Sequence, residues 1–267
     1  MPIQLDSQDC KHHCLKYLWS IKDDPAFVRC IAQLALGQHR HVIRVLQGLG
    51  ATNNAYSIGK SEVEDLIKRL GQNKPGQVEN RDGWLFQLIS WVALAIQSNQ
   101  TTFIDPPHPM ESQKGFDGLC ISVSQGNNSL DYVMVTEDKA TDSPRSVFRN
   151  EVLPEIKRIE GGETNSQLRS RVSVLVSLAV TDEKTRESAL QAALWQNILR
   201  FRTCFATDAD GLPKRVELFK GYADAAPGVI ERRQGDVLIV NDLRPWFEDL
   251  AKKVIAELKQ MRTTPHV

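Results

Sequence analysis

Asp117, Glu137 and Lys139 are the residues of this chain whose types and spacing best suit catalysis. Asp117 sits in Gly115-Phe116-Asp117-Gly118 at the head of one run rich in β-branched and aromatic residues, Phe116 to Val123. Glu137 ends a second such run, Asp131 to Glu137, and Lys139 follows it. Strand side chains alternate between faces, so Asp117, Leu119, Ile121 and Val123 point one way, and Asp131, Val133, Val135, Glu137 and Lys139 share a face of the second strand. Gly126-Asn127-Asn128 between the runs is turn chemistry. A hairpin turning about Asn127 sets Val123 opposite Asp131, Ile121 opposite Val133, Leu119 opposite Val135, and Asp117 opposite Glu137. The apolar residues then pair with each other, and two carboxylates meet at one end.

Directly opposed residues have Cβ atoms about 4.5–5.5 Å apart, so two like charges at the end of an apolar face repel unless something compensates them. A divalent cation does so. Mg²⁺ is held by one or two carboxylates plus waters and substrate phosphate oxygens, and Mn²⁺ takes the same kind of oxygen ligand. Lys139 adds a positive charge on the same side. Two carboxylates, a lysine and a metal are the parts needed to polarise a phosphodiester, generate a hydroxide-like nucleophile and stabilise the leaving oxygen. A Glu-x-Lys tripeptide at a strand end is by itself more often a pair of solvated edge charges; the facing Asp117 is what argues for a site. Asp138 points to the opposite face and reads as solvated or structural, and Asp131 falls at the far, open end.

Gly115-Phe116-Asp117-Gly118, a strand, a turn and then Thr136-Glu137-Asp138-Lys139-Ala140 resembles the PD-(D/E)XK nuclease superfamily, with Glu137-Asp138-Lys139 as the (D/E)XK element. The resemblance covers roughly Trp84 to Ala179. It implies a restriction-endonuclease-like α/β/α core with a mixed sheet, Mg²⁺-dependent hydrolysis of DNA phosphodiesters, metal binding by Asp117 and Glu137, and a catalytic Lys139. Two departures stand out. Phe116 replaces the proline that precedes the first aspartate, and the helix before the hairpin offers Gln87 where many members carry an acid. Glu79 and Glu111 are the candidate substitutes for it. The helical N-terminal part, the Gly-Phe-Asp-Gly hairpin and the helical tail are most similar to nucleases of bacterial antiphage defence, in particular the Hachiman type, which implies a helicase or ATPase as protein partner.

Several elements must position this hairpin. From Asp6 to about Gln97 the apolar spacing is helical, which predicts a helical N-terminal part over 1–80, ahead of a nuclease core with C-terminal strands and helix over 81–267. Ser61-Glu62-Val63-Glu64 fits a capping box for a helix that Gly71 closes. Gly71 to Gly83 reads as a loop, and Trp84 to Ile96 as a helix too apolar all round to lie on a surface. Asp105-Pro106-Pro107-His108-Pro109 must be extended. After the hairpin come helical patterns at Glu151 to Ile159, Asn165 to Ala179, strand-like in its last residues, and Asp182 to Phe201, a break at Gly211-Leu212-Pro213, strands at Val216 to Tyr222 and Asp236 to Val240, and a closing helix from Leu243 to Met261.

Arg145, Arg149, Lys157, Arg158, Arg169 and Arg171 follow the motif and are the candidate DNA-phosphate contacts, since arginine forks suit phosphate oxygens. Interleaved Glu151, Glu155 and Glu160 offer the blander alternative of a solvated helix face. Gln87 and Gln167 are candidate supporting residues. Gly59-Lys60-Ser61 has the tail of a phosphate-cradling loop but lacks its leading glycine, which Asn54 replaces. Cys10, His12, His13 and Cys14 lack the spacing of a zinc finger or ribbon, and the two cysteines read as small core residues on one face of a helix.

The longest apolar stretch, Leu85 to Ile96, is too short for a membrane span. The first residues lack the basic start and apolar run of a secretory signal, and five irregularly spaced cysteines suit free thiols, which together predict a cytoplasmic protein. Lys plus Arg total 33 against 33 Asp plus Glu, so the chain lacks the basic excess of an autonomous nucleic-acid binder. A nuclease with that balance should depend on a partner to bring it to DNA.

Overall fold

The computed structural model describes residues 1–10, 12–49, 59–111, 115–124, 129–180, 182–192, 198–210 and 217–263. The turn expected at Gly126-Asn127-Asn128 and the break at Gly211-Leu212-Pro213 lie outside the described residues. Seven strands form one mixed sheet: β1 (Ile3–Gln8), β2 (Leu15–Ile21), β3 (Thr102–Ile104), β4 (Gly118–Val123), β5 (Leu130–Ala140), β6 (Leu199–Asp208) and β7 (Arg233–Val240). Their order is β1-β2-β7-β6-β5-β4-β3. Neighbours from β2 through β7 and β6 to β5 are parallel, whereas β1 and β4 run antiparallel to the strands beside them.

Helices cover both faces, giving an α/β/α sandwich. One layer comprises α1 (Asp24–Ala35), α2 (His39–Leu46), α3 (Lys60–Leu70), α4 (Gln77–Gln97) and α10 (Leu243–Thr263), whose apolar faces pack on Cys120, Met134, Cys204 and Leu238 of the sheet. The opposite layer comprises α5 (Pro144–Val147), α6 (Leu153–Glu160), α7 (Asn165–Ala179), α8 (Glu183–Ala192) and α9 (Tyr222–Ala225), packed on Leu119, Ile121, Val133, Val135, Phe201 and Phe205. A π turn at Phe148–Val152 joins α5 to α6. Pro154 lacks the N–H that would continue an ordinary ladder there, and the helix widens just before it. That turn seats Phe148 edge-on against Phe205, Phe219 and Tyr222.

The sequence reading is right for α3, α4, α7, β7 and α10, and it fails where long-range partners decide. The described residues of 1–21 are not helical: β1 and β2 pair antiparallel, β2 pairs in parallel with β7, and Ile3 and Trp19 are buried. Cys10 and Cys14 therefore flank a strand connection rather than share a helix; both are buried, their sulfurs 3.7 Å apart. Of the helix expected over Asp182 to Phe201, α8 accounts for Glu183–Ala192, whereas the chain from Leu199 is strand β6. Arg200 and Arg202 make that strand look polar, yet Arg202 is buried because Asp236 of β7 pairs with it at 2.8 Å. The strand expected at 216–222 is turn and helix over its described residues.

Helix starts also differ. Gly59, not Ser61, is the N-cap of α3, and Ser61 lies inside the helix. α4 begins at Gln77 inside the expected loop, where the Glu79 carboxylate accepts the Gly76 N–H at 2.6 Å. Asp23 caps α1, its side chain accepting the Ala26 N–H at 3.0 Å. No helix of the described residues is long and apolar enough to cross a membrane. Two substitutions test the cap assignments by urea unfolding: Asp23→Ala costs about 1 kcal/mol of stability, and Ser61→Ala changes it by less than about 0.5 kcal/mol.

Candidate active site

The hairpin of β4 and β5 carries the site. Leu119 pairs with Val135 and Ile121 with Val133, the register that the apolar alternation predicts. The open end deviates: the register shifts between Ser122 and Val123, and Val123 faces Leu130 instead of Asp131. Asp131 is exposed, with the Ser122 hydroxyl 3.5 Å from its carboxylate. The motif end keeps the register through Gly118 opposite Thr136, and the next step of the ladder points Asp117 toward Glu137.

Both glycines of Gly115-Phe116-Asp117-Gly118 are required by their neighbours. A Cβ on Gly118 would stand 3.1 Å from the Thr136 Cβ across the strand pair. Gly115 has φ of +125°, a conformation that L side chains rarely adopt, and a Cβ there would meet the Gln167 amide at 2.6 Å. Phe116 fills the proline position with a ring buried in the α7 layer.

Asp117 is tied to two other elements. Its Oδ2 accepts the Asp138 backbone N–H at 2.8 Å, and its Oδ1 accepts the Gln87 amide of α4 at 2.6 Å. Lys139 Nζ lies 3.6 Å from Glu137 Oε2; the Lys139 side chain is 31% exposed and that of Glu137 13%. The structure thus brings together Asp117, Glu137, Lys139 and Gln87. Asp138 turns to the α4 face, where it is buried rather than solvated.

Burial dominates the electrostatics. It raises the Asp117 carboxyl above its usual range despite the Asp138 N–H, Lys139, His108 and Gln87, all of which favour the anion. Glu137 is pushed up to about 8, first by burial and then by Asp117, with Lys139 opposing. Asp138 rises to about 7 by burial and by Asp117, against the pull of Arg202. Burial pulls Lys139 down, but Glu137, Asp117, Glu151 and Asp138 together raise it, so its ammonium stays charged. Three carboxyls are crowded here, and one lysine is not enough to keep them all ionised near neutral pH.

The cations nearby are mostly committed within the chain. Arg171 bonds Asp105 at 2.6 Å and the Phe116 carbonyl at 2.7 Å, so it clamps the motif turn instead of facing solvent. Arg145 donates to the carbonyls of Leu218 and Lys220 at 3.0 and 2.7 Å. Arg158 pairs with Glu155 and Glu163, and exposed Arg149 bonds Asn150. Lys157 and Arg169 are exposed on their helices, and Gln167 lies over Gly115. Neither substitute acid reaches the site, since Glu79 caps α4 and Glu111 pairs with Arg69 at 2.9 Å.

His108 is the neighbour that sequence reasoning passed over. Its ring is buried, its Nδ1 has no hydrogen-bond partner, and it interacts electrostatically with Asp117. A signal was present. Asp105-Pro106-Pro107-His108-Pro109 follows β3, which pairs with β4, so this stiff segment must pass the end where Asp117 stands.

Among the described residues no group of three or more His, Cys, Asp and Glu side chains is arranged to hold a metal ion. Two half-buried carboxylates with raised proton affinity and one adjacent ammonium remain, a hard-oxygen donor set of the minimal size that Mg²⁺ uses when waters and phosphate complete its shell. Compared with models of protein families, with curated proteins and with solved structures, the chain has no match. The clamp on the motif turn is open to direct test. Arg171→Met lowers the unfolding free energy by about 2 kcal/mol and speeds amide exchange over Gly115–Gly118, whereas Arg169→Ala changes stability by less than about 0.5 kcal/mol.

Proposed function

We propose that this protein is a metal-dependent nuclease that hydrolyses DNA phosphodiesters, with Asp117 and Glu137 holding Mg²⁺ or Mn²⁺ and Lys139 aligning or activating the attacking water. The observation that carries the reading is the bond from the Asp138 N–H to Asp117, which fixes one carboxylate beside the Glu137–Lys139 pair at the end of an apolar hairpin. Two carboxylates kept close in a half-buried setting repel each other, and a cation is the partner that relieves them.

A bound divalent cation supplies Lewis-acid polarisation of the phosphate and a lowered pKa for attacking water. The chain's own residues do the remaining work. Lys139 remains charged and is exposed enough to meet a substrate, so its ammonium holds a phosphate oxygen or the incoming water as negative charge builds on phosphorus. Gln87 holds Asp117 in place through Oδ1, and its amide oxygen is left to orient a water. Water adds to phosphorus, one P–O ester bond breaks, and the leaving oxygen takes up a proton.

The equal numbers of cationic and acidic side chains support a protein that works with a partner, of helicase or ATPase type, that delivers DNA. Five free cysteines fit a reducing cytoplasm. A second reading, a non-catalytic subunit that keeps the fold, is favoured by one feature: an amide at Gln87 occupies an oxygen of Asp117 where a further acid would enlarge the ligand set.

Plasmid and linear DNA incubated with the protein, with and without its partner, separate the two readings. The nuclease reading requires cleavage with Mg²⁺ and none with EDTA, reduced by at least about 100-fold in Asp117→Ala, Glu137→Ala and Lys139→Ala; cutting that survives Glu137→Ala or Lys139→Ala overturns it. Metal uptake also stabilises the folded chain by about 2.7 kcal/mol at a concentration 100 times Kd, a rise in Tm of about 5–10 °C. That rise disappears in Glu137→Ala, and the non-catalytic subunit shows neither effect.

A further inference from the structure

Beside the carboxylates lies a cleft of about 330 Å³, walled on one side by Pro106, Pro107, His108 and Pro109 and on the other by Gln167 and Arg171 of α7. It adjoins the motif directly. Gln167 closes over Gly115, and Arg171 reaches from the cleft wall to the Phe116 carbonyl. His108 links the cleft electrostatically to Asp117.

The proline wall is rigid. The Trp84 indole donates to the His108 carbonyl at 2.8 Å, the Trp91 indole to the Asp105 carbonyl at 2.9 Å, and Arg69 to the Pro109 carbonyl at 3.1 Å. Asp105 is held from the far side by Arg171 at 2.6 Å. A segment pinned at three carbonyls and one carboxylate keeps its shape when a ligand arrives, so binding need not order it.

The lining identifies the ligand. Arg171 is already occupied by Asp105 and Phe116, so among the described residues the cleft presents no unpaired cation for a phosphate. It presents instead three prolines, the side chain of Gln167, buried His108 and the Asp105 carboxylate already taken by Arg171. His108 Nδ1 is buried without a hydrogen-bond partner, although its residue is 93% enclosed. Apolar faces flanked by a few neutral donors and acceptors suit a heterocyclic base removed from its stack. The cleft is at the small end of ligand pockets, enough for one nucleoside.

We propose that this cleft binds the base of the nucleotide adjoining the scissile phosphate, so that the substrate is single-stranded DNA or a duplex end whose last pair has opened. The proposal rests on the nuclease reading for its orientation and deepens it by naming the substrate. A paired base must be unstacked before it can enter, and an unpaired one needs no such step.

The experiment uses the full chain and a single-stranded oligonucleotide carrying 2-aminopurine, or an abasic site, at each position in turn. Binding is read in EDTA by 2-aminopurine fluorescence, and cleavage is read with Mg²⁺ against a blunt duplex of the same sequence. The expected result is a fluorescence change confined to one position, and an abasic site there that raises KM by about tenfold. Gln167→Ala and His108→Gln, each checked for unchanged urea unfolding, produce a similar loss on the intact strand and little further loss on the abasic one. Cutting of the blunt duplex as fast as the single strand, or a flat abasic scan, overturns the proposal and leaves the nuclease reading standing. A position-specific fluorescence change that Gln167→Ala abolishes, with no cleavage under any condition, supports base binding and removes the nuclease reading. No fluorescence response at any position overturns the cleft.

Discussion

Asp117 accepts one hydrogen bond from the Asp138 amide at 2.8 Å and another from the Gln87 side chain at 2.6 Å, and these two bonds join three parts of the molecule. The first crosses from the head of β4 to β5; the second crosses from the sheet to α4. A carboxylate in so enclosed a place needs donors on both oxygens to remain ionised. Because the amide donor belongs to the residue between Glu137 and Lys139, whatever fixes Asp117 also fixes the spacing of the other two. Gly115, Gly118 and Arg171 all serve this arrangement: the glycines let the turn lie close to Gln167 and Thr136, and the arginine holds the carbonyl just before Asp117.

The same strand carries charge on both of its faces, which explains the polar residues beneath it. Asp138 faces α4, with its Oδ1 lacking a hydrogen-bond partner, and the compensating charge comes from Arg202 on β6. Arg202 pairs with Asp236 on β7, donates to the carbonyl and hydroxyl of Ser90 on α4, and lies over the Trp19 ring at 5.2 Å. Buried ion pairs of this kind contribute little net stability compared with apolar packing, but losing one partner strands the other. Their effect here is to hold β5, β6, β7, β2 and α4 in one register, so the strand that donates to Asp117 is set by contacts on its opposite side.

What could be read from the residues alone follows the range of the interaction. The alternation of Leu119 and Ile121 against Val133 and Val135 is local, and it specified the pairing that brings Asp117 toward Glu137. α7 and α10 were legible because apolar residues recur at helical spacing, Leu168, Val172 and Leu175 in one and Leu243, Phe247, Leu250 and Val254 in the other, although exposed Val174 and Leu178 give the end of α7 a strand-like pattern. β2 and β6 were not, since each owes its conformation to partners far away in the chain: β2 pairs with β7, and Arg202 in β6 is tolerable only beside Asp236. Ser61 has the right residue type for a cap, but Gly59 starts the helix two residues earlier. The roles of Arg171 and His108 were hidden for another reason. An arginine on a helix after the motif looks like a phosphate contact until its partner Asp105, 66 positions away, is seen beside it.

The balance of 33 cationic and 33 acidic side chains takes its meaning from where those cations sit. Arg69, Arg81, Arg145, Arg171, Arg202, Arg232 and Arg233 each bond carbonyls or carboxylates inside the chain. They act as scaffold, whereas Arg149, Lys157 and Arg169 on the motif's flank are exposed, with no ion pair among the described residues. Nonspecific affinity for DNA scales with the number of phosphates neutralised, and the motif's flank offers three exposed cations for that role. On the proposed nuclease reading, substrate would be gained through a partner that presents the strand and through the cleft proposed to accept one unstacked base. Under that proposal, neutrality and the pinned proline wall serve one end, the selection of an opened strand over any duplex.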